Sequence, residues 1–170
     1  MMRRVVLFLP LVAFLALGVM FYSQLGKDVN AMPSALIGQK VPSFTLVSLE
    51  SDELVTHDNL PNGPYLLNFW GTWCPACHIE HPFLNILAQS GIAIIGIDYK
   101  DQKILAQQWL QEKGNPYQQV LMDELGHFGL DMGVTGAPET FVIDSQGSVV
   151  YRHQGAINAQ NWPIIRGYLR

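Results

Sequence analysis

Two cysteines three residues apart, Cys74 and Cys77, lie where an apolar run over residues 65–70 gives way to a helical pattern over residues 75–89. The apolar run is typical of a buried central strand. Pro75 suits the first turn of a helix, where its missing N–H costs nothing. The sequence therefore predicts an α/β fold in which both cysteines lie at one strand-to-helix junction.

This position predicts a reactive pair of thiols. Unpaired backbone N–H groups and the helix dipole favour negative charge at Cys74, which lowers the pKa of its thiol. Cys77 comes nearly one turn later and within reach of the Cys74 sulfur. We therefore interpret Cys74 as the nucleophile and Cys77 as the thiol that resolves a mixed disulfide. A bond between them closes a very short loop and would stabilise the fold little, so a structural disulfide is a poor explanation.

The N-terminal segment predicts a membrane anchor. The stretch 5–22 carries no charge and is close in length to the roughly 20 residues that span a bilayer. Arg3 and Arg4 precede it, which predicts a cytoplasmic N-terminus and a periplasmic remainder. A cleaved signal peptide is the alternative, because residues 16–18 include small side chains. The predicted organisation is a signal anchor, a polar tether and one globular domain, over residues 1–22, 23–35 and 36–170.

The net charge and the predicted periplasmic location limit the functions that the chain could have. The net charge is -4, and no Lys/Arg run occurs beyond Arg3 and Arg4, so nothing indicates a nucleic-acid partner. Outside the cytoplasmic membrane the surroundings are oxidising. A dithiol that is kept reduced there needs a dedicated supply of electrons.

The rest of the chain predicts a mixed sheet flanked by helices. Its apolar runs and turn signals separate strands from amphipathic helices. The predicted strands are residues 44–49, 65–70, 92–97, 140–144 and 149–153. The predicted helices are residues 75–89, 103–113, 124–132 and 158–169.

Two longer motifs carry a resemblance to a known family. Residues 69–77, FWGTWCPAC, resemble the active site of thioredoxin-fold proteins, and residues 133–141, GVTGAPETF, are similar to the loop that carries a cis-proline opposite the cysteines. Within the second motif, the sequence GAPET resembles that of the DsbE (CcmG) family of cytochrome c maturation. Residues 77–81, 98–100 and 114–117 also resemble that family. The resemblance covers nearly the whole chain. It implies a thioredoxin-like fold, a central mixed sheet flanked by helices, after a single N-terminal transmembrane helix.

The resemblance also implies a function and partners. Members of that family are periplasmic reductases that keep the haem-attachment cysteines of apocytochrome c, or an intermediary carrier, reduced. Their electrons come from a membrane thiol transporter of the DsbD or CcdA type. No bound cofactor or metal is expected, because the redox-active group is the Cys74–Cys77 pair itself.

Site residues follow from the same resemblance. Pro138 is the expected cis-proline, and Ala137 and Thr135 are expected to border an extended substrate peptide. Glu80 and Glu139 are the expected acidic residues that adjust proton transfer. The residues expected to shape the site around the cysteines are Trp73, Pro75 and Ala76.

Two positions depart from the family pattern. Thioredoxins carry a buried aspartate where this chain has Asn68, which cannot take a proton, so Glu80, Glu139 or water is left for that task. Thr135 stands where the family often has tyrosine. From its position one turn after Cys77, Glu80 is either a proton partner or part of a solvated helix face. His78 and His81 are expected to be exposed on the same helix.

Four alternatives remain open from the sequence. Residues 74–78 spell C-x-x-C-H, the c-type haem attachment pattern, for which Met122 or Met132 could be an axial ligand. A metal site is another alternative, with Cys74, Cys77, His78 and His81 as its ligands. A general disulfide oxidase or isomerase fits the same cysteines. So does a non-catalytic module that escorts apocytochrome.

Overall fold

The computed structural model describes residues 2–24, 36–61 and 63–169. The chain divides into two units, Met1–Met32 and Pro33–Arg170. The first contains helix α1 (Met2–Gln24), which includes the uncharged stretch. Among the described residues, no helix combines the length and the apolar character needed to cross a membrane. Most of the predicted tether, residues 25–35, lies outside the described residues.

Within the described part of the second unit, seven strands form one mixed sheet in the order β2-β1-β5-β4-β3-β6-β7. The three central strands β5, β4 and β3 are parallel, and the other pairs are antiparallel. The strands are β1 (Thr45–Ser48), β2 (Leu54–Thr56), β3 (Tyr65–Trp70), β4 (Ile94–Tyr99), β5 (Gln119–Asp123), β6 (Glu139–Ile143) and β7 (Val149–Gln154).

Helices cover both faces of the sheet. The helices are α2 (Pro75–Gln89), α3 (Lys103–Lys113), α4 (His127–Asp131) and α5 (Trp162–Arg166). Side chains of α2, α3 and α5 pack into the core that contains both cysteines, whereas Phe128 of α4 packs into the core on the opposite face. This is the α/β thioredoxin-like architecture that the resemblance implies for the globular domain.

Strand β3 divides the two cores, because every residue in it is buried and its side chains alternate between the faces. Leu66 and Trp70 face the cysteine side, and Phe69 faces the other. The Trp70 ring stacks on Tyr117 at a centroid distance of 5.4 Å. A Cβ at Gly96 would lie 2.8 Å from the Tyr117 ring, so this stacked pair requires glycine beneath it.

Two strands were not predicted, and three predictions about helices were wrong in extent or orientation. The chain forms β2 and β5, which the sequence pattern did not distinguish from loops. Helix α4 begins only at His127, because the Asp123 carboxylate at the end of β5 accepts the backbone N–H groups of Phe128 and Gly129. Helix α5 is shorter than predicted. The expected apolar face of α2 includes Ile79 and Ile86, which are 75% and 57% exposed.

Candidate active site

The two cysteines form a disulfide at the start of α2, with their Cα atoms 5.3 Å apart. Cys74 is the N-cap residue of the helix, and the backbone N–H of Cys77 donates to its Sγ at 3.1 Å. Both side chains are buried. When the pair is reduced, the same N–H and the helix dipole are placed to stabilise a thiolate at Cys74. The predicted position of the pair is therefore confirmed.

The loop before Cys74 is tied to the end of β4. Trp73 is 50% exposed, and its indole N–H donates to the carbonyl of Tyr99 at 3.0 Å. The Thr72 N–H donates to the Asp101 carboxylate. A Cβ at Gly71 would lie 2.5 Å from the Trp73 ring, so glycine is required for this orientation of the indole. Trp73 therefore borders the disulfide as a fixed, partly exposed ring.

Two small residues after Cys74 also shape the site. Pro75 is exposed at the first position of α2, and Ala76 is half-buried against the core that contains the cysteines. Both residues therefore occupy the first turn of α2, between the two cysteines.

The loop with the expected cis-proline lies at the same end of the sheet. The Ala137–Pro138 peptide bond is cis, as the resemblance implies. Strands β3 and β6 pair antiparallel with Phe69 opposite Glu139, so the loop before β6 meets the loop that follows β3. Ala137 packs against the core cluster that contains both cysteines, and Thr135 is exposed. The structure therefore brings Ala137 and Pro138 to the end of the sheet that carries the disulfide.

Glu80 is buried, so the interpretation as a solvated helix face is wrong. One carboxylate oxygen accepts from the amide of Asn68 at 3.1 Å, and the other accepts from the backbone N–H of Ile157 at 2.9 Å. Asn68 also donates to the Thr140 hydroxyl at 2.9 Å and accepts from the Tyr117 hydroxyl at 2.9 Å. Asn68 thus holds Glu80 within a buried polar network on the cysteine side.

Burial raises the pKa of Glu80 to about 7, while the donors from Ile157 and Asn68 act in the opposite direction. A carboxyl with this pKa can both accept and release a proton near neutral pH. It lies one helical turn after Cys77. This geometry fits Glu80 for the task that Asn68 cannot perform.

Glu139 has a different environment. It is buried in an ion pair with Arg152, and its second carboxylate oxygen accepts the backbone N–H of Thr135 at 3.1 Å. The Thr135 hydroxyl also donates to that oxygen at 3.4 Å. The sequence indicated Glu139 only through the resemblance, and nothing in the pattern indicated Arg152 as its partner.

Asp98, which the sequence indicated through the resemblance of residues 98–100 to the family, is completely buried at the end of β4. Alternation along the strand places it on the cysteine side, opposite Trp70 in the neighbouring strand. Neither Asp98 carboxylate oxygen nor the Trp70 indole N–H has a hydrogen-bond partner within the described residues. Burial, with added repulsion from Asp101 and Glu124, raises the pKa of Asp98 to about 8. Besides that resemblance, the sequence signal was a polar residue near the end of an otherwise apolar run.

The Asp98→Asn variant should become more stable relative to the wild type as the pH rises. The pKa of Asp98 rises from 3.8 to about 8 on folding. Its contribution to stability is therefore complete below 3.8 and is lost as the pH rises through 8. Between these two pH values, the unfolding free energy of the wild type changes by at most about 1.4 kcal/mol per pH unit for this one proton. Urea unfolding at several pH values should show the unfolding free energy of the variant increasing relative to that of the wild type as the pH rises.

Asp131→Asn, at an exposed position of α4, is the matched control and should run parallel to the wild type. A constant difference in unfolding free energy between Asp98→Asn and the wild type at acid and alkaline pH would contradict the burial argument.

The histidines do not form a metal site with the cysteines. His78 is exposed as expected, but His81 is buried: its Nδ1 accepts from the Trp109 indole at 3.3 Å, and its Nε2 lies 2.8 Å from the Gly114 carbonyl. Burial lowers the pKa of His81. Within the described residues, no group of three or more His, Cys, Asp or Glu side chains is arranged to hold a metal ion.

The haem interpretation also conflicts with the geometry. Met132 is buried in the core on the face of the sheet away from the cysteines, and Met122 is buried within the core on their own side. The Nε2 atom of His78 lies 3.1 Å from the Thr72 carbonyl. Met132 therefore lies on the other face of the sheet from the C-x-x-C-H segment, and Met122 is enclosed among buried side chains.

Comparisons with known proteins agree with this geometry. The chain matches the family model described as Redoxin over residues 36–165. Proteins named thiol:disulfide interchange protein DsbE are similar to it in Haemophilus influenzae, at 48% identity over 92% of this chain and 90% of the relative, and in Pasteurella multocida, at 52% over 92% and 90%. The one from Escherichia coli strain K12 is 47% identical over 95% of this chain and 91% of its own length.

Solved structures show the same fold at low identity. A DsbF homologue from Corynebacterium diphtheriae superposes with a TM-score of 0.66 at 24% identity, covering 77% of this chain and 87% of that one. A thio-disulfide isomerase from Thermus thermophilus gives a TM-score of 0.63 at 23% identity, covering 74% and 91%.

Proposed function

This chain belongs to the DsbE family of thiol:disulfide interchange proteins, and we propose from that premise that it works as a periplasmic reductase in cytochrome c maturation. It is a thiol–disulfide oxidoreductase. The observation that supports a catalytic cycle best is the Cys74–Cys77 disulfide at the N-terminus of α2, with the buried Glu80 carboxyl one turn below it.

The proposed cycle starts from the reduced dithiol. The Cys74 thiolate attacks a substrate disulfide, a new S–S bond forms, and one substrate cysteine leaves as a thiolate. Cys77 then attacks the Cys74 sulfur and releases the second substrate cysteine. Two electrons pass to the substrate, and the protein ends as the Cys74–Cys77 disulfide. The Cys77 proton passes to the Glu80 carboxylate, whose pKa of about 7 suits both accepting and releasing it.

The proposed substrate is a disulfide within the haem-attachment motif of apocytochrome c, or an intermediary carrier. An extended peptide would lie beside the cis peptide bond and use the backbone groups of Ala137, as an added strand does. Trp73 and Thr135 are both exposed, and in this proposal they contact the residues that flank the substrate disulfide.

The electron supply and location complete the proposal. The dithiol carries the electrons itself, so the cycle needs no bound cofactor, and a membrane thiol transporter of the DsbD or CcdA type reduces it again. The uncharged stretch 5–22 after Arg3 and Arg4 supports an anchor in the inner membrane with the catalytic domain in the periplasm.

The reduction potential of the Cys74–Cys77 pair tests the direction of electron flow. The detergent-solubilised full chain would be equilibrated with thiol–disulfide buffers and its oxidised fraction measured after alkylation. A value towards about −270 mV, as in thioredoxin, is expected of a reductase. A value near about −120 mV, as in DsbA, would overturn the proposal in favour of a disulfide oxidase.

A further inference from the structure

The loop that carries Thr135, Ala137 and Pro138 is held at three points by polar contacts with β7 and with Gly155, the residue after it. The Arg152 guanidinium donates to the carbonyl of Gly133 at 2.9 Å, where the loop begins. The Gln154 side-chain amide donates to the Thr135 hydroxyl at 2.9 Å. At the end of the loop, the backbone N–H of Gly155 donates to the Pro138 carbonyl at 2.9 Å.

Glu139 connects the first two of these contacts. One of its oxygens accepts from Arg152 Nε, and the other accepts from the Thr135 backbone N–H and hydroxyl. The Glu139 and Arg152 side chains are 1% and 7% exposed, so the two charges face each other away from water. A carboxylate in a buried pair is held in place strongly, because loss of either partner leaves an uncompensated charge.

The register of the hairpin explains why this arrangement forms. Glu139 pairs with Gln154, and Phe141 pairs with Arg152, so the four side chains lie on one face of β6 and β7. The Arg152 guanidinium lies over the Phe141 ring, 5.7 Å from its centroid. Its planar donors thereby reach Glu139 and Gly133 at once, which the single ammonium of a lysine would not reproduce.

We propose that Arg152, Glu139 and Gln154 form a clamp that positions the 133–138 loop for binding an extended polypeptide beside the disulfide. Glu139 is then a positioning residue and not the proton carrier that its family motif implies. The proposal rests on the proposed function, since it assigns these residues to recognition of a peptide substrate. A small disulfide needs only Cys74 and Cys77, whereas a peptide also needs the loop backbone at the correct distance.

Arg152→Lys tests the clamp, because it keeps the charge and removes the forked contact. Two substrates would be compared: an extended peptide with a C-x-x-C-H disulfide, and hydroxyethyl disulfide. We expect the KM for the peptide to rise about tenfold, equivalent to about 1.4 kcal/mol, with much less change in kcat or in the rate with hydroxyethyl disulfide. Arg166→Lys, at an exposed position of α5, is the matched control.

Glu139→Gln separates positioning from proton transfer. A clamp residue affects the peptide far more than hydroxyethyl disulfide and leaves the shape of the pH–rate profile as it is in the wild type. Equal losses with both substrates, together with a changed pH profile, would overturn the clamp and assign Glu139 to proton transfer.

Gln154→Ala covers the case in which the ion-pair variants do not fold. It removes one neutral hydrogen bond and should raise the peptide KM about threefold. If the wild type reduces the peptide and every folded clamp variant has the same KM for the peptide as the wild type, the clamp alone is overturned. Reduction of hydroxyethyl disulfide but not of the peptide by the wild type overturns the proposed function and the clamp together.

Discussion

Replacing Cys77 with alanine should stop turnover and trap the substrate covalently on Cys74. Cys74 keeps its place at the N-terminus of α2, so its thiolate still attacks the substrate disulfide. The mixed disulfide then persists, because the only thiol positioned by the fold to attack it is missing. Non-reducing electrophoresis of Cys77→Ala with a disulfide-bonded C-x-x-C-H peptide should show a shifted band that dithiothreitol removes. Turnover should fall to background.

Cys74→Ala is the matched control for the trap. It removes the nucleophile and leaves the buried Cys77, so it should form no adduct and show no turnover. Adduct formation by Cys74→Ala, or normal turnover by Cys77→Ala, would reverse or refute the assigned roles. A chain that only escorts apocytochrome would bind the peptide in all three forms without forming a covalent adduct.

Replacing Glu80 with glutamine should slow the release of substrate from the mixed disulfide by about 100-fold near neutral pH. In the wild type the rate should rise as the pH passes through about 7, because only the ionised Glu80 carboxylate accepts the Cys77 proton. Glutamine keeps the size of the side chain but does not titrate, so this inflection should disappear. Stopped-flow measurement of the resolving step across a range of pH checks both expectations.

Stability must be measured beside the rate. The side-chain NH2 of the new glutamine faces either the Asn68 amide or the Ile157 N–H, which are themselves donors. The unsatisfied buried donor should lower the unfolding free energy by about 1–3 kcal/mol. The pKa of Glu80 rises from 4.5 to about 7 on folding, so its contribution to stability is complete below 4.5 and is lost as the pH rises through 7. The variant should lack this pH dependence.

Glu112→Gln, at an exposed position of α3, is the control for Glu80→Gln and should match the wild type in rate and stability. A well-folded Glu80→Gln protein with a normal rate and an unchanged inflection would show that another group takes the proton. The buried Asp98 would then be the next carboxyl to test.

Local sequence patterns predicted the elements that position the cysteines. The bounds of β3, α2 and α3 agree with residues 65–70, 75–89 and 103–113. These elements have strong signals within a single window, namely a short apolar run or an amphipathic helix bounded by proline and glycine. Strand β2 has a weak signal because it is only three residues long. Strand β5 has a weak signal because its position depends on pairing with β1 and β4, which are distant from it in the chain.

Side-chain environments were harder to predict than the elements. Ile79 and Ile86 looked like core residues and are exposed, whereas Glu80 and His81 on the same helix are buried. The buried face of α2 is set by Asn68, Ile157 and Trp109, which the fold brings to it from other elements. A helical pattern reports which residues share a face, but burial of a carboxyl depends on donors elsewhere in the chain.

The sequence by itself determined the chemistry of this protein: two cysteines at a strand-to-helix junction, and a loop with proline that resembles the one opposite them. Both are local features, because the helix N-terminus and the spacing of the thiols lie within four residues. Only the tertiary structure decided the environments of the carboxyls. Glu80 stands among neutral groups, and burial raises its pKa to about 7, whereas Glu139 faces the charge of Arg152 across two strands. Two glutamates equally visible in the sequence thus differ because electrostatic environment depends on distance in space and not along the chain.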